Sequence, residues 1–214
     1  SKLVVLMKEL YDVSATDRNS KWENMICRKK QISRRENDIR SEFYRDYTRI
    51  INSRAFRRLK QKTQVFFATR NDHVCTRMEH VNNVSSISFG IARYLGLNDE
   101  LVMAIAAGHD LGHAPFGHSG ERIINKISKE YLKSDFWHEK NSLRFIDYCE
   151  TIQNASGQEE NLNLTYAVRD GIVTHCGEIE KKQLIPREEY ICLLYTSDAA
   201  DDLLCLDLVG RRII

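Results

Sequence analysis

Apolar residues recur through most of this chain at steps of three and four, the repeat of a helix face. The clearest case is His80, Val84, Ile87, Ile91 and Leu95, which predicts a helix over 76–94 closed by Gly96. Asn98 is a suitable N-cap for the next helix, and Asp99 and Glu100 suit its positive end. That helix carries Leu101, Ile105 and His109 on one side and breaks by Gly112 and Pro115. A further helix after Gly120 is expected to turn Ile123, Ile124, Ile127 and Tyr131 inward. Helices are also predicted over 36–49, 52–62, 140–152 and 164–176, the last containing Gly171. The exception is Gln64-Val-Phe-Phe67, a short strand-like run that predicts a β-hairpin near 63–67. Residues 69–72 and 154–157 read as loops, and 1–20 as a loose arm. With only two prolines and few alternating segments, the fold class is all-α, a helical bundle.

Length and charge narrow this picture. A chain of 214 residues fits one domain with a sizeable core. No apolar run approaches the roughly 20 residues of a membrane span, and the run that opens the chain is too short for a secretory signal. Met7 and Met25 both suit a start. The six cysteines, 27, 75, 149, 176, 192 and 205, form no CxxC pair. They fit reduced thiols and a cytoplasmic location better than a disulfide framework. The net charge is only +2, yet residues 28–62 hold 13 Lys/Arg against 4 Asp/Glu. Such a segment suits phosphate-bearing partners, nucleotides or nucleic acid, or forms a solvated basic helix face.

Candidate chemistry concentrates in one stretch, His109-Asp-Leu-Gly-His-Ala-Pro-Phe-Gly-His-Ser-Gly-Glu121, which holds three of the seven histidines and two carboxylates. Neighbours on a helix point about 100° apart, so His109 and Asp110 share an ion only beside the helix end. The break at Gly112 eases that geometry. Imidazole with carboxylate suits a divalent ion such as Mn, Fe, Co, Zn or Mg. His80, on the preceding antiparallel helix, is a natural third ligand, and three ligands leave positions open for water and a phosphate oxygen. Structural alternatives stand beside each residue. His80 fits a core histidine, His113 fits a ring stacked on the face of His109, and His118 with Glu121 fits a helix-capping pair.

The order of the motifs is more specific. Asp46-Tyr-Thr-Arg-Ile-Ile-Asn-Ser53, Ala55-Phe-Arg-Arg-Leu59, Lys62-Thr-Gln-Val-Phe66, Thr76-Arg-Met-Glu-His80 and the 109–121 stretch follow one another. Over about residues 25–190 the chain resembles the HD-domain phosphohydrolases, and within them the deoxyguanosine-triphosphate triphosphohydrolase-like branch. The resemblance implies an HD-domain helical bundle with His80, His109 and Asp110 as metal ligands. It implies His118 and Glu121 as the catalytic pair around the attacking water. Arg77 matches an arginine near the substrate phosphates, and Gln64 a glutamine that reads the deoxyribose. Arg57 and Arg58 would add positive field or structure, His113 would support a ligand rather than be one, and His138 would lie at the pocket edge. The implied reaction is metal-dependent hydrolysis of a deoxynucleoside triphosphate to deoxynucleoside and inorganic triphosphate. Another HD-type nucleotide phosphohydrolase, or a nucleic-acid-binding module with a structural metal site, are the alternatives. The resemblance also implies a homo-oligomer, and single-stranded DNA or regulatory nucleotides as further partners.

The end of the chain departs from the pattern. Cys192-Leu-Leu-Tyr-Thr-Ser-Asp-Ala-Ala-Asp201 reads as the in-frame translation of a transposon adapter used in sequencing libraries. The domain reading is therefore an N-terminal arm over 1–24, an HD domain over 25–191 that is incomplete at its C-terminus, and a non-native tail over 192–214. Asp201 and Asp202 imitate the block that carries the family's fourth ligand, an aspartate, but lie in that tail and are not assigned. Asp170 is too early to replace it. The expectation is weak metal binding and little activity from this chain.

Overall fold

The computed structural model describes residues 14–32, 37–62, 75–154 and 157–175. The hairpin expected near 63–67, Gln64 within it, Asp201, Asp202 and the boundary at 191 lie outside the described residues.

The described chain is all-α with one small antiparallel sheet. Its helices are α1 (Trp22–Ile26), α2 (Glu42–Ile51), α3 (Arg54–Arg58), α4 (Arg77–Leu95), α5 (Asp99–Gly108), α6 (Gly117–Leu132), α7 (His138–Arg144) and α8 (Tyr166–Thr174). A 3₁₀ turn, Leu59–Gln61, extends α3, and a π-helical turn, Phe145–Cys149, follows α7.

Helix α5 is the central element, packed by α2, α4 and α8. Its residues Leu101, Val102 and Ala104–Gly108 are all buried. Such all-round burial marks an interior helix, and the small side chains of Ala104, Ala106 and Ala107 let neighbours approach closely. Asn98 caps α5 by accepting from the Leu101 N–H at 2.8 Å, as its position in sequence predicted. Phe43 and Ile50 of α2, Val81 and Val84 of α4, and Val168 and Ile172 of α8 complete the core around Ile105 and Leu111.

A buried polar clamp holds α2 to α8. Asp46 accepts from Thr165 at both its N–H and its hydroxyl, each 2.7 Å, and pairs with Arg28. Burial raises the Asp46 carboxyl, opposed by Arg28 and the Thr165 donors. The same guanidinium reaches the Asn163 carbonyl at 2.7 Å, so one arginine ties three segments of chain together.

Three expectations are corrected. On α4 the buried face is Arg77, Val81, Val84, Ser88 and Ala92, so it is rotated from the predicted stripe and leaves Ile87 exposed. The cause is polar: Arg77 and Ser88 are taken inside, which hydrophobic periodicity does not register. On α6 the inward residues are Gly117, Gly120 and Ser128, while Ile123, Ile127 and Tyr131 are 61%, 50% and 73% exposed. A Cβ at Gly120 would collide with the Pro115 carbonyl, so the glycine face is held against the turn that leads into the helix, which leaves Ile123 and Ile127 outward and Ile124 half-buried. The third correction is the helix predicted over 140–152. It gives way at Phe145–Cys149, and Thr151–Gln153 instead forms strand β1, paired with β2 (Glu159–Asn161). The Glu150 carboxylate draws the chain away by accepting from the Arg54 N–H and from Arg58, both at 2.7 Å. Asn154 and Gly157, at φ +80°, make the turn.

Candidate metal centre

The first turn of α4 and the last turn of α5 meet at the site. A capping box opens α4: the Thr76 hydroxyl accepts from the Glu79 N–H, and the Glu79 carboxylate accepts from the Thr76 N–H. That start fixes Arg77 and His80. Helix α5 delivers His109 at its C-cap and Asp110 just beyond. His80, His109 and Asp110 present ligand atoms within 4.8 Å of one another, and His109 Nε2 lies 3.7 Å from Asp110 Oδ1. His109 donates its Nδ1–H to the Ala106 carbonyl at 2.7 Å, which leaves Nε2 with the lone pair a metal needs. This donor set fits a divalent cation. The three sequence-predicted ligands, His80, His109 and Asp110, thus converge.

Arg77 is not an open surface arginine. Its Nη1 donates to Asp110 Oδ2 at 2.6 Å, and both side chains are buried. Among the described residues its Nε is buried without a hydrogen-bond partner. Burial would raise the Asp110 carboxyl, but His109 and Arg77, with His113 and His138, outweigh it and hold the group well below the usual carboxylate range. Lys62 closes the other side. Its Nζ donates to the carbonyls of Leu111 and His113 at 3.3 and 2.8 Å, and its own carbonyl accepts from the Arg77 N–H. Burial lowers this amine to about 8.

All six described histidines join in one series of ring contacts. His80 meets His109 at 5.7 Å, His109 meets His175 at 5.0 Å, and His175 meets His138 at 5.5 Å. His138 then meets His113 at 4.7 Å, and His113 meets His118 at 5.6 Å. Burial pushes both His113 and His175 down to about 3, so both rings are neutral at ordinary pH.

Gly112 makes this convergence feasible. A Cβ there would collide with the backbone of Asn141 and Ser142, so α7 rests directly on the Asp110–His113 loop. The contact is sealed by Ser142 Oγ, which accepts from the Gly112 N–H and donates to the His109 carbonyl, each at 2.9 Å. It brings His138 and Glu139 beside the centre.

Glu121 stands between two histidines. Its Oε2 is 3.6 Å from Nδ1 of the exposed His118, and its Oε1 is 3.3 Å from Nδ1 of the buried His138. Oε1 also accepts from the His138 N–H at 3.0 Å. Burial opposes ionisation of Glu121, but its bonds to His118 and His138 hold the carboxyl far below its ordinary value. Burial likewise opposes the charge on His138, yet Glu121 and Glu139 raise it. Phe116 precedes α6 in the left-handed region at φ +64°, a strained conformation for an aromatic residue. It turns the chain just before His118.

Sequence reasoning missed His175 and Glu139. His175 ends the α8 pattern after Ile172 and carried a readable signal there, a histidine on a buried face. Glu139 had none, because its neighbour His138 drew the attention.

A family model for the HD domain matches residues 77–201, more than half of the chain. The chain belongs to the HD-domain family. It is 49% identical over 138 residues to a deoxyguanosinetriphosphate triphosphohydrolase-like protein of Caldanaerobacter subterraneus, covering 64% of this chain and 38% of that protein. A protein of the same description from Desulfatibacillum aliphaticivorans is 49% identical over 137 residues, covering 64% of this chain and 36% of that protein. A third, from Clostridium tetani, is 44% identical over 153 residues, covering 72% and 41%. The chain thus spans about two fifths of the length of the curated relatives it matches. Its His/Asp centre suits a divalent metal. Among the described residues no helix is long and apolar enough to cross a membrane.

Proposed function

We propose that this HD domain serves the hydrolysis of deoxynucleoside triphosphates, dGTP-like, to deoxynucleoside and inorganic triphosphate. The observation that carries the reading is the juxtaposition of His80, His109 and Asp110 with a buried Arg77 that keeps one N–H unpartnered among the described residues. A divalent ion held by those three residues supplies Lewis-acid polarisation of a phosphoryl oxygen. Arg77 offers its donor to a phosphate and offsets negative charge that develops there. Glu121 orients His118, whose exposed ring moves a proton at the scissile P–O bond. Gln64 reads the deoxyribose by resemblance.

The nucleic-acid reading draws less support from the side chains. In the basic segment Arg28, Lys29, Arg45, Arg49 and Arg58 pair with internal carboxylates, and Lys62 is directed at carbonyls beside the centre.

The test is product analysis by phosphorus NMR with dGTP and Mn²⁺ or Mg²⁺. Inorganic triphosphate supports the proposal, and orthophosphate as first product favours another HD-type phosphohydrolase. Metal-dependent dGTP binding without turnover fits a three-ligand centre that lacks its fourth group. Absence of both binding and turnover overturns the reading.

A further inference from the structure

Lys62 touches both halves of the candidate metal centre. Its Nζ donates to the Leu111 and His113 carbonyls at 3.3 and 2.8 Å. The Gly112 carbonyl, between those two, accepts instead from Asn141 Nδ2 at 2.7 Å. The loop that follows Asp110 is therefore held twice, by α7 and by one ammonium. The main chain of the same lysine reaches the other half, because its carbonyl accepts from the Arg77 N–H at 3.0 Å. Lys62 thus bridges the first turn of α4, which carries His80, and the loop after α5, which begins at Asp110. Two neutral carbonyls compensate a buried ammonium poorly. Burial lowers this amine to about 8, Asp110 favours its charge, and Arg77 and Arg58 oppose it. An apolar side chain of similar length would fill the position without that cost, so the bonds to the loop are what the lysine adds.

We propose that Lys62 is a positioning residue for the His80–His109–Asp110 centre, holding the loop that begins at Asp110 in register with the start of α4. The inference rests on the metal-binding reading of those three residues. Its sign separates it from simple electrostatics. A lysine charge beside the centre repels a cation, so by charge alone its removal would strengthen metal binding. Positioning predicts the reverse. Removing a group that orients metal ligands from behind typically weakens metal affinity by about 10–100-fold. Lys62→Met should weaken binding by that factor even though it deletes a repelling charge.

The experiment measures Mn²⁺ affinity by electron paramagnetic resonance in the full 214-residue chain. Wild type is compared with Lys62→Met, and urea titration in EDTA establishes that both are folded. A dissociation constant raised by about 10–100-fold in the variant supports the proposal. An unchanged or lowered constant overturns it and leaves the metal centre standing. Wild type that binds no Mn²⁺ overturns the metal-centre reading, and this inference falls with it. A second measurement uses wild type alone and decides the matter where Lys62→Met does not fold. In ¹⁵N-lysine-labelled protein at pH 6.5, the Lys62 ammonium should give an NMR signal protected from solvent exchange, with cross-peaks to main-chain protons of Leu111 and His113. A Lys62 ammonium that exchanges freely overturns the proposal.

Discussion

The guanidinium of Arg77 and the carboxylate of Asp110 meet at 2.6 Å inside the protein, joining the first turn of α4 to the end of α5. A residue read from sequence as a phosphate contact therefore holds Asp110, a candidate metal ligand, in place. Removing one partner of a buried pair leaves the other charge uncompensated, at about 3–5 kcal/mol. Arg77→Met should lower unfolding free energy by that amount in urea titrations in EDTA. Arg77→Met with Asp110→Asn should recover most of the loss. Equal instability of the single and double variants would show that Arg77 acts by packing alone.

Gly112 sets the distance between the Asp110–His113 loop and α7. Gly112→Ala places a methyl group against the Asn141 and Ser142 backbone, which cannot rotate away. Overpacking of this kind costs about 1–3 kcal/mol or more. The local consequence should exceed the global one, because displacement of α7 carries off His138. Comparison of thermal unfolding with the His138 ring signals in an NMR spectrum checks this. A variant with native His138 shifts and unchanged melting would contradict the close contact.

Acid should destabilise the metal-free chain before its carboxylates titrate. His113 and His175 have folded pKa values near 3 against 6.5 for the free ring. Below 6.5 the unfolded chain takes up protons that the folded chain refuses, so stability falls as pH falls. The slope is up to about 1.4 kcal/mol per pH unit for each ring. His138 is raised, so its contribution is complete below 6.5 and is lost as pH rises through its folded value. Asp46, also raised, works against the histidines in acid. His175→Asn cancels these shared terms. Between pH 6.5 and 4.5 in EDTA, its stability should decline less steeply than wild type by about 1.4 kcal/mol per pH unit. Parallel profiles would show that His175 gains its proton in the folded chain.

The helices around the centre were legible because their signals are local. Asn98 before two acidic residues marked the start of α5, and Gly96 at φ +73° ended α4 as its position suggested. His80, His109 and Asp110 converge because a helix hairpin brings its ends together. What sequence did not show depends on contacts distant in the chain. Gly112 meets Ser142 thirty residues away, His175 meets His109 across the core, and Glu121 divides its two oxygens between His118 and His138. The orientation of α6 was misread because periodicity names an apolar face without saying whether anything covers it.

That last point yields a sharp comparison between two isoleucines. Ile123 is 61% exposed on α6, whereas Ile105 is 2% exposed on α5 and packs against Gly171 of α8. Ile105→Ala leaves a cavity in the core and should cost about 2–5 kcal/mol. Ile123→Ser with Ile127→Ser removes little buried surface and should stay within about 0.5 kcal/mol per site. Denaturant titration of both variants as dilute monomer, confirmed by light scattering, makes the measurement. A loss of several kcal/mol from the serine pair under those conditions would mean that α6 packs its isoleucines inward, as periodicity alone suggests.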